Sequence, residues 1–469
     1  MLRVFFREIA VEGAEHVPRD RGGLLVAWHP NGLIDPALII THFPGRIVFG
    51  ARDGLLRWPL VGWMMRRLGT VPIYRAADQA SMSAEARREA NARSLDALAD
   101  GLGGGSFSAL FPEGQSHDQP FVTEVKSGAA RLFLRALDRA EAASPVPVVL
   151  PVGLHYDRKH LFRSDVLVTF HPPLALPPDL GEMDDEVAAD FLTERVRDAL
   201  VEVVRATDDW TLHRLMHRGS ALVRAEDAAR AGERAERGDI VERSLGFARM
   251  WHGYRLRRAS HAAEIAALRR DLTRYDRLLR TLGLDDADLD APPPHRLVWD
   301  SLTLLARTAV VYVLLPPLLL FGLLVNGPVH GLIGVAARRY SGAIKDTATV
   351  KILVGFVLYP LAWIGAGVLA ALAHAGLRAA FPGLPDVPLL TGLLVTLLAF
   401  AAGVLVLKYV GWEALTRQRL RAYAARQRRR DLVAELRALR ADLHDRFLAL
   451  GEGLDLPGDV TDTEGRIAG

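Results

Sequence analysis

The chain of 469 residues contains no cysteine. Disulfides, thiol nucleophiles and cysteine-ligated zinc are therefore excluded, although the compartment stays open. An excess of one charge is lacking too: 58 Lys and Arg stand against 55 Asp and Glu, a formal net charge of +3. So mild a surplus suits an anionic membrane surface or a phosphorylated substrate without selecting either, and it gives no reason to expect a nucleic-acid partner. No metal cluster is legible, because His155, His160 and His171 are scattered and read as structural or surface residues. Near the N-terminus Arg7 and Glu8 cut short the apolar run, so no signal peptide is expected. Long apolar runs are absent from the first 300 or so residues and frequent afterwards.

What is present has room for about three domains. Up to about residue 180, short apolar runs at 23–28, 46–49, 70–72, 106–111, 146–152 and 166–170 read as strands. Helical patterns at 84–101 and 127–142 lie between them. This alternation predicts an α/β layer structure with a mainly parallel sheet, whose site is built at strand ends and in the loops that follow.

One such loop organises the rest: Trp28-His29-Pro30-Asn31-Gly32-Leu33-Ile34-Asp35-Pro36, directly after the run Leu24-Leu25-Val26-Ala27. A histidine at a strand end with a carboxylate a few residues on makes a candidate base, His29, with its orienting partner, Asp35. Taken alone, histidine and aspartate around a Pro-Asn-Gly turn are more often just turn chemistry. Three further stretches close strands: Gly69-Thr70-Val71-Pro72-Ile73-Tyr74-Arg75 and Phe111-Pro112-Glu113-Gly114-Gln115-Ser116-His117-Asp118, which carry polar groups, and the apolar Val149-Leu150-Pro151-Val152-Gly153.

In this order the four stretches resemble the blocks of the glycerolipid acyltransferase family, which includes glycerol-3-phosphate and lysophosphatidate acyltransferases. The resemblance covers roughly residues 7–175. It is most similar to the yeast-type glycerol-3-phosphate/dihydroxyacetone-phosphate branch and its bacterial relatives, through His-Pro-Asn…Asp-Pro, Phe-Pro-Glu-Gly-x-Ser-His-Asp and Phe162-Arg163-Ser164-Asp165. Five residues separate His29 from Asp35 where four are usual, and Gln115-Ser116-His117 stands where Thr-Arg-Ser often follows Phe-Pro-Glu-Gly. The resemblance implies acyl transfer from an acyl thioester (acyl-CoA or an acyl carrier protein, with no cofactor) to the first hydroxyl of glycerol-3-phosphate, lysophosphatidate being the alternative acceptor. His29 is then the general base and Asp35 its partner. Arg75 is the expected phosphate ligand, with Lys126 a second. Glu113 is expected to bond an acceptor hydroxyl or hold Arg75, and Gly114, Ser116 and His117 to extend the substrate site. Backbone amides near Gly114 or Gly153 are candidate oxyanion donors. A non-catalytic lipid-binding scaffold of the same fold is the rival from another class.

After a catalytic domain of 1–183, residues 184–284 read as a charged helical arm. Ile265, Leu268, Leu272, Tyr275, Leu279 and Leu282 form a seam at spacings of three and four. It fits a single apolar face packed on the domain, or pairing with the basic helix 412–450, within one chain or in a homodimer. Residues 285–300 read as an acidic linker and 451–469 as a disordered tail. The membrane region, 301–411, holds apolar zones at 302–335, 350–376 and 388–411. Basic residues at 338–345 and 417–430, against a nearly neutral loop 377–387, place the former on the cytoplasmic side with the catalytic domain. An even number of crossings follows, so 302–335 is expected to be a re-entrant hairpin bent at Pro316-Pro317, in an inner or plasma membrane.

Overall fold

A computed structural model describes residues 1–57, 59–67, 69–74, 83–139, 145–233, 235–290 and 297–462. Seven strands form one mixed sheet: β1 (Glu8–Glu12), β2 (Gly23–Ala27), β3 (Ile47–Arg52), β4 (Val71–Ile73), β5 (Phe107–Leu110), β6 (Val148–Tyr156) and β7 (Asp165–Phe170). Their order is β1-β7-β6-β2-β5-β3-β4. Every neighbouring pair is parallel except β6 with β7. Sequence reading finds six of the seven. It misses β1, whose half-buried residues begin and end in glutamate and carry no continuous apolar run.

β2 lies in the middle of the sheet and all five of its residues are buried, which is why it reads as an unbroken apolar run. Leu25 and Ala27 face one core, which contains Ile34, Leu38 and Ile39 of α1 (Ile34–His42). Leu24 and Val26 face the other, formed with α2 (Ala84–Gly103), α3 (Gly128–Arg139) and α4 (Asp185–Val204). Because α4 fills this second core, the α/β unit runs past residue 183 to Val204. Arg7 and Arg243 meet on buried Asp165, at 3.0 and 2.7 Å, and tie the first strand to the arm.

The arm consists of α5 (Trp210–Arg230), α6 (Ile240–Arg257) and α7 (Ala262–Leu282). The seam of α7 is used inside the chain: Leu268, Leu272, Tyr275 and Leu279 share a core with Val433, Leu436 and Leu443. The stretch expected to be a linker is partly built in, since Asp286 and Leu289 are buried and Tyr275 donates to Asp286 at 2.8 Å. Residues 452–462 are ordered against the domain, with Val460 packed on Leu167 and Ile240, so a disordered tail is not what this part of the terminus forms.

Among the described residues, four helices are long and apolar enough to cross a membrane: Ser301–Leu318, Leu320–Tyr340, Ile344–Ala380 and Pro388–Arg428. The first is the apolar part of α8 (Leu297–Ala309) with its continuation through a wide π turn, Val310–Leu314, and Leu315–Leu318. The others are α9 (Leu320–Tyr340), α10 (Ile344–Ala380) and α11 (Pro388–Arg428), which α12 (Arg430–Gly451) follows. Leucines such as Leu369 and Leu389, 70 and 84% exposed, cover their outer faces. So much apolar surface without a protein partner fits lipid.

α10 and α11 are antiparallel: Trp363 stacks edge-on against Phe400, and Gly367 meets Gly392. The segment 297–340 starts beside one end of α11, with Arg307 on Thr416 at 2.8 Å. It reaches the level of Trp363, which donates to Asn326 at 2.9 Å. It then returns past Gly355 toward the start of α10. The helix break falls at Leu319 rather than at Pro316-Pro317; the prolines lie in Leu315–Leu318, which continues directly from the π turn.

Candidate active site

The carboxyl ends of β5, β2 and β6 lie side by side, and each delivers a loop to one place. His29 follows β2 by two residues. Its ring is 17% exposed and stacks on Phe111, with centroids 4.0 Å apart and planes 13° from parallel. Nδ1 donates to Asp35 Oδ2 at 2.8 Å. This partner fixes the tautomer, leaving the Nε2 lone pair free to take a proton. Nε2 makes no hydrogen bond among the described residues.

Asp35 is fully buried in the first turn of α1. Its Oδ2 also accepts the Asn31 N–H at 2.6 Å, and its Oδ1 accepts the Tyr156 hydroxyl at 2.5 Å. Burial, then the charge of Asp35, pushes the Tyr156 phenol well above its ordinary range, so it stays a donor. Gly32 turns the loop with φ +45°, and a Cβ there would come within 3.1 Å of Thr349 Oγ1. The turn requires glycine for both reasons.

Glu113 joins three loops of the site. It is buried, and both oxygens are occupied: Oε2 accepts the His29 N–H at 3.2 Å, and Oε1 accepts from His117 Nε2 and the Thr123 N–H, each at 2.7 Å. Burial works to raise its carboxyl, but the bonds from His117 and Thr123 outweigh it and hold the group below the usual carboxylate range. It is thus a buried brace between loops, with three bonds on Oε1 and one on Oε2. His117 belongs to the same brace, because its Nδ1 accepts the Gln119 N–H at 3.2 Å and its backbone N–H bonds the His29 carbonyl at 3.0 Å.

The two glycines near the candidate oxyanion donors lie in different surroundings. The Gly114 N–H is taken by the Phe111 carbonyl at 2.9 Å. Gly153 lies in the β6–β7 ladder, where an added Cβ would fall 2.2 Å from Thr169 Oγ1. Gly114 and Gln115 are exposed and Ser116 half-buried, so this turn is open beside His29. The Lys126 side chain lies over Gly114. Arg75 falls outside the described residues.

Several participants are not evident from the motifs. Tyr156 is one, although strand alternation puts it on the face of Leu150, Val152 and Leu154. Lys159, 8% exposed, donates to the Pro30 carbonyl at 2.6 Å and pairs with Asp118 at 2.7 Å, joining two loops. From far along the chain come Lys345, on the Ser116 carbonyl at 2.5 Å, and Lys351, on the His160 carbonyl at 2.8 Å. Between them Ala348 is fully buried in the core that contains Trp28 and Ile34. The first turns of α10 therefore form one wall of the site.

A family profile described as Acyltransferase matches residues 8–154, the stretch that carries this geometry. An uncharacterized acyltransferase of Schizosaccharomyces pombe is 24% identical over 298 residues, 45% of this chain and 44% of that protein. Glycerol-3-phosphate O-acyltransferase 2 of Saccharomyces cerevisiae is 31% identical over 106 residues, 22% of this chain and 14% of the yeast enzyme. A 1-acyl-sn-glycerol-3-phosphate acyltransferase of Borreliella burgdorferi is 25% identical over 197 residues, 42% of this chain and 71% of that protein. The matches thus span less than half the length of the two fungal relatives.

Proposed function

We propose that this membrane acyltransferase moves an acyl chain from a thioester, on coenzyme A or a carrier protein, to the first hydroxyl of glycerol-3-phosphate. The observation that carries the reading is the His29–Asp35–Tyr156 chain, with Nε2 of His29 unbonded at the mouth of the site. An alcohol is a weak nucleophile at neutral pH and needs a positioned base. His29 Nε2 takes the hydroxyl proton as the oxygen attacks the thioester carbonyl. The tetrahedral adduct collapses, the carbon–sulfur bond breaks, and the imidazolium returns its proton to the leaving thiolate. Asp35 remains ionised throughout and offsets the transient imidazolium charge; Tyr156 and the Asn31 N–H keep it in place. Phosphate binding falls to Arg75 and Lys126, while Gly114 and Ser116 line the open turn between the acceptor and His29.

The Ser116-His117-Asp118 sequence after Phe-Pro-Glu-Gly favours glycerol-3-phosphate, because it follows the yeast-type pattern. Lysophosphatidate is the second reading, favoured by the 71% of the Borreliella burgdorferi enzyme's length that the match covers. The catalytic domain, the arm and the basic C-terminal helix gather at one end of the bundle and the loop 381–387 at the other, which supports a cytoplasmic catalytic domain under the positive-inside rule.

The test is an acceptor competition. Full-length protein in lipid receives labelled acyl-CoA or acyl carrier protein with glycerol-3-phosphate, dihydroxyacetone phosphate or lysophosphatidate, beside His29→Ala. Lysophosphatidate formed from glycerol-3-phosphate, and lost in the variant, is the expected result. Product from lysophosphatidate alone moves the enzyme to the second acylation. Transfer that survives His29→Ala overturns the mechanism, and no transfer with either donor leaves the scaffold reading.

A further inference from the structure

The open turn 114–116 lies next to the base, since Glu113 holds the His29 N–H and His117 holds the His29 carbonyl. Two lysines flank this turn. Lys126 lies over Gly114, its Nζ 3.5 Å from where a Cβ would stand. Lys345 arrives from the first turn of α10 and donates to the Ser116 carbonyl at 2.5 Å. Neither makes an ion pair among the described residues, and the acidic residue beside Lys345, Asp346, turns its carboxylate toward Gly32 instead. An ammonium has three protons to donate. The Ser116 carbonyl, a neutral acceptor, uses one on Lys345 and supplies no counter-charge. A half-buried cation of this kind, fixed against the catalytic loops, fits an anion that arrives with the substrate.

We propose that Lys345, a residue of the membrane helix α10, binds the phosphate of the acceptor together with Lys126, so that the anchor contributes a substrate-binding residue to the active site. The ligand class is a phosphate monoester, either the free headgroup of glycerol-3-phosphate or that of a lysolipid. The proposal rests on the acyl-transfer reading for the identity of the acceptor, but not for the binding of phosphate. It predicts that the site discriminates by charge: removing the ammonium weakens phosphate-bearing acceptors and leaves neutral ones unaffected.

The experiment compares wild type, Lys345→Gln, Lys345→Arg and Lys126→Met as full-length proteins in nanodiscs. Lys345→Gln keeps a donor for the Ser116 carbonyl and removes the charge. Two readouts are taken: equilibrium titration with sn-glycerol-3-phosphate, and transfer kinetics with glycerol-3-phosphate, lysophosphatidate and phosphate-free monoacylglycerol. Lys345→Gln should weaken glycerol-3-phosphate binding and raise KM for the phosphate acceptors by roughly 10- to 100-fold, the range of a hydrogen bond to a charged group. KM for the acyl donor and transfer to monoacylglycerol should not change, and Lys345→Arg should restore most of the loss. A shift for glycerol-3-phosphate alone assigns the site to the free compound, and a shift for lysophosphatidate alone to the lipid headgroup. Equal losses for phosphate-bearing and neutral acceptors would reduce Lys345 to a structural clasp and overturn the proposal. So would unchanged affinity in Lys345→Gln while wild type acylates glycerol-3-phosphate, an outcome that leaves the acyl-transfer reading intact. Binding that depends on Lys345 without transfer to any acceptor would sustain the cation and overturn the enzyme reading. Wild type that binds no phosphate compound overturns both.

Discussion

Asp35 commits one oxygen to His29 and the Asn31 N–H and the other to Tyr156. Each partner can be removed separately. Asp35→Asn replaces an acceptor with a group that must donate on one side, so the His29 tautomer is lost, and kcat should fall by roughly 10²- to 10⁴-fold, the span of general-base catalysis. Tyr156→Phe leaves the pair but frees one carboxylate oxygen; kcat should fall by roughly 10- to 100-fold with both KM values unchanged, a loss of the size of one hydrogen bond to a charged group. Steady-state kinetics on the purified variants check both. His171 bears on stability instead. It is 1% exposed, and burial, then the charge of Arg205, lowers its pKa to about 3. A base with a depressed folded pKa binds its proton first in the unfolded chain. Its stabilising contribution is therefore whole above about pH 6.5 and is lost as pH falls from there toward 3, at about 1.4 kcal/mol per pH unit. Thermal unfolding between pH 7.5 and 5 should show this loss, with a shallower slope in His171→Gln.

Among the elements, the buried strands are legible because burial on both faces leaves nothing but apolar residues, as in β2. β1 is not, because an edge strand paired on one side tolerates Glu8 and Glu12. The His29–Asp35 pair is legible because both residues lie on one loop. Tyr156 needed the strand's alternation carried four residues past the apolar run, and Lys345 had no local signal, since 229 residues separate it from Ser116. The helix break lies past Pro316-Pro317, at Leu319, and a wide π turn, Val310–Leu314, precedes the prolines. Packing among the membrane helices depends on small residues: at Gly367 a Cβ would stand 2.0 Å from Thr396 Oγ1 and 2.5 Å from the Gly392 carbonyl. Gly367→Leu should separate α10 from α11, seen as a fall in unfolding temperature in detergent larger than that of Gly376→Leu on the same helix, where a Cβ meets nothing within 4 Å.

At the scale of the whole molecule, the catalytic domain, the arm and the basic C-terminal helix collect at one end of the helical bundle, and the Arg378–Asp386 pair lies at the other. Tags at residue 382 and at the C-terminus should be accessible from opposite faces of sealed vesicles, and accessibility from one face would contradict the one-sided arrangement. The seam of α7 is buried against α12 of the same chain, so a dimer through that seam would first have to open a core containing Leu279 and Leu436, both fully buried. Ala348 has a different consequence. It fills the catalytic core beside Trp28 while belonging to a helix that continues for 32 residues beyond it. The usual strategy of cutting away an anchor to obtain a soluble enzyme should therefore fail here, because a chain ending near residue 290 leaves a hole beside the base and bares the apolar floor under it. What such a fragment would gain in solubility from losing its lipid-facing leucines, it would lose to a new sticky surface at the one spot where chemistry is done.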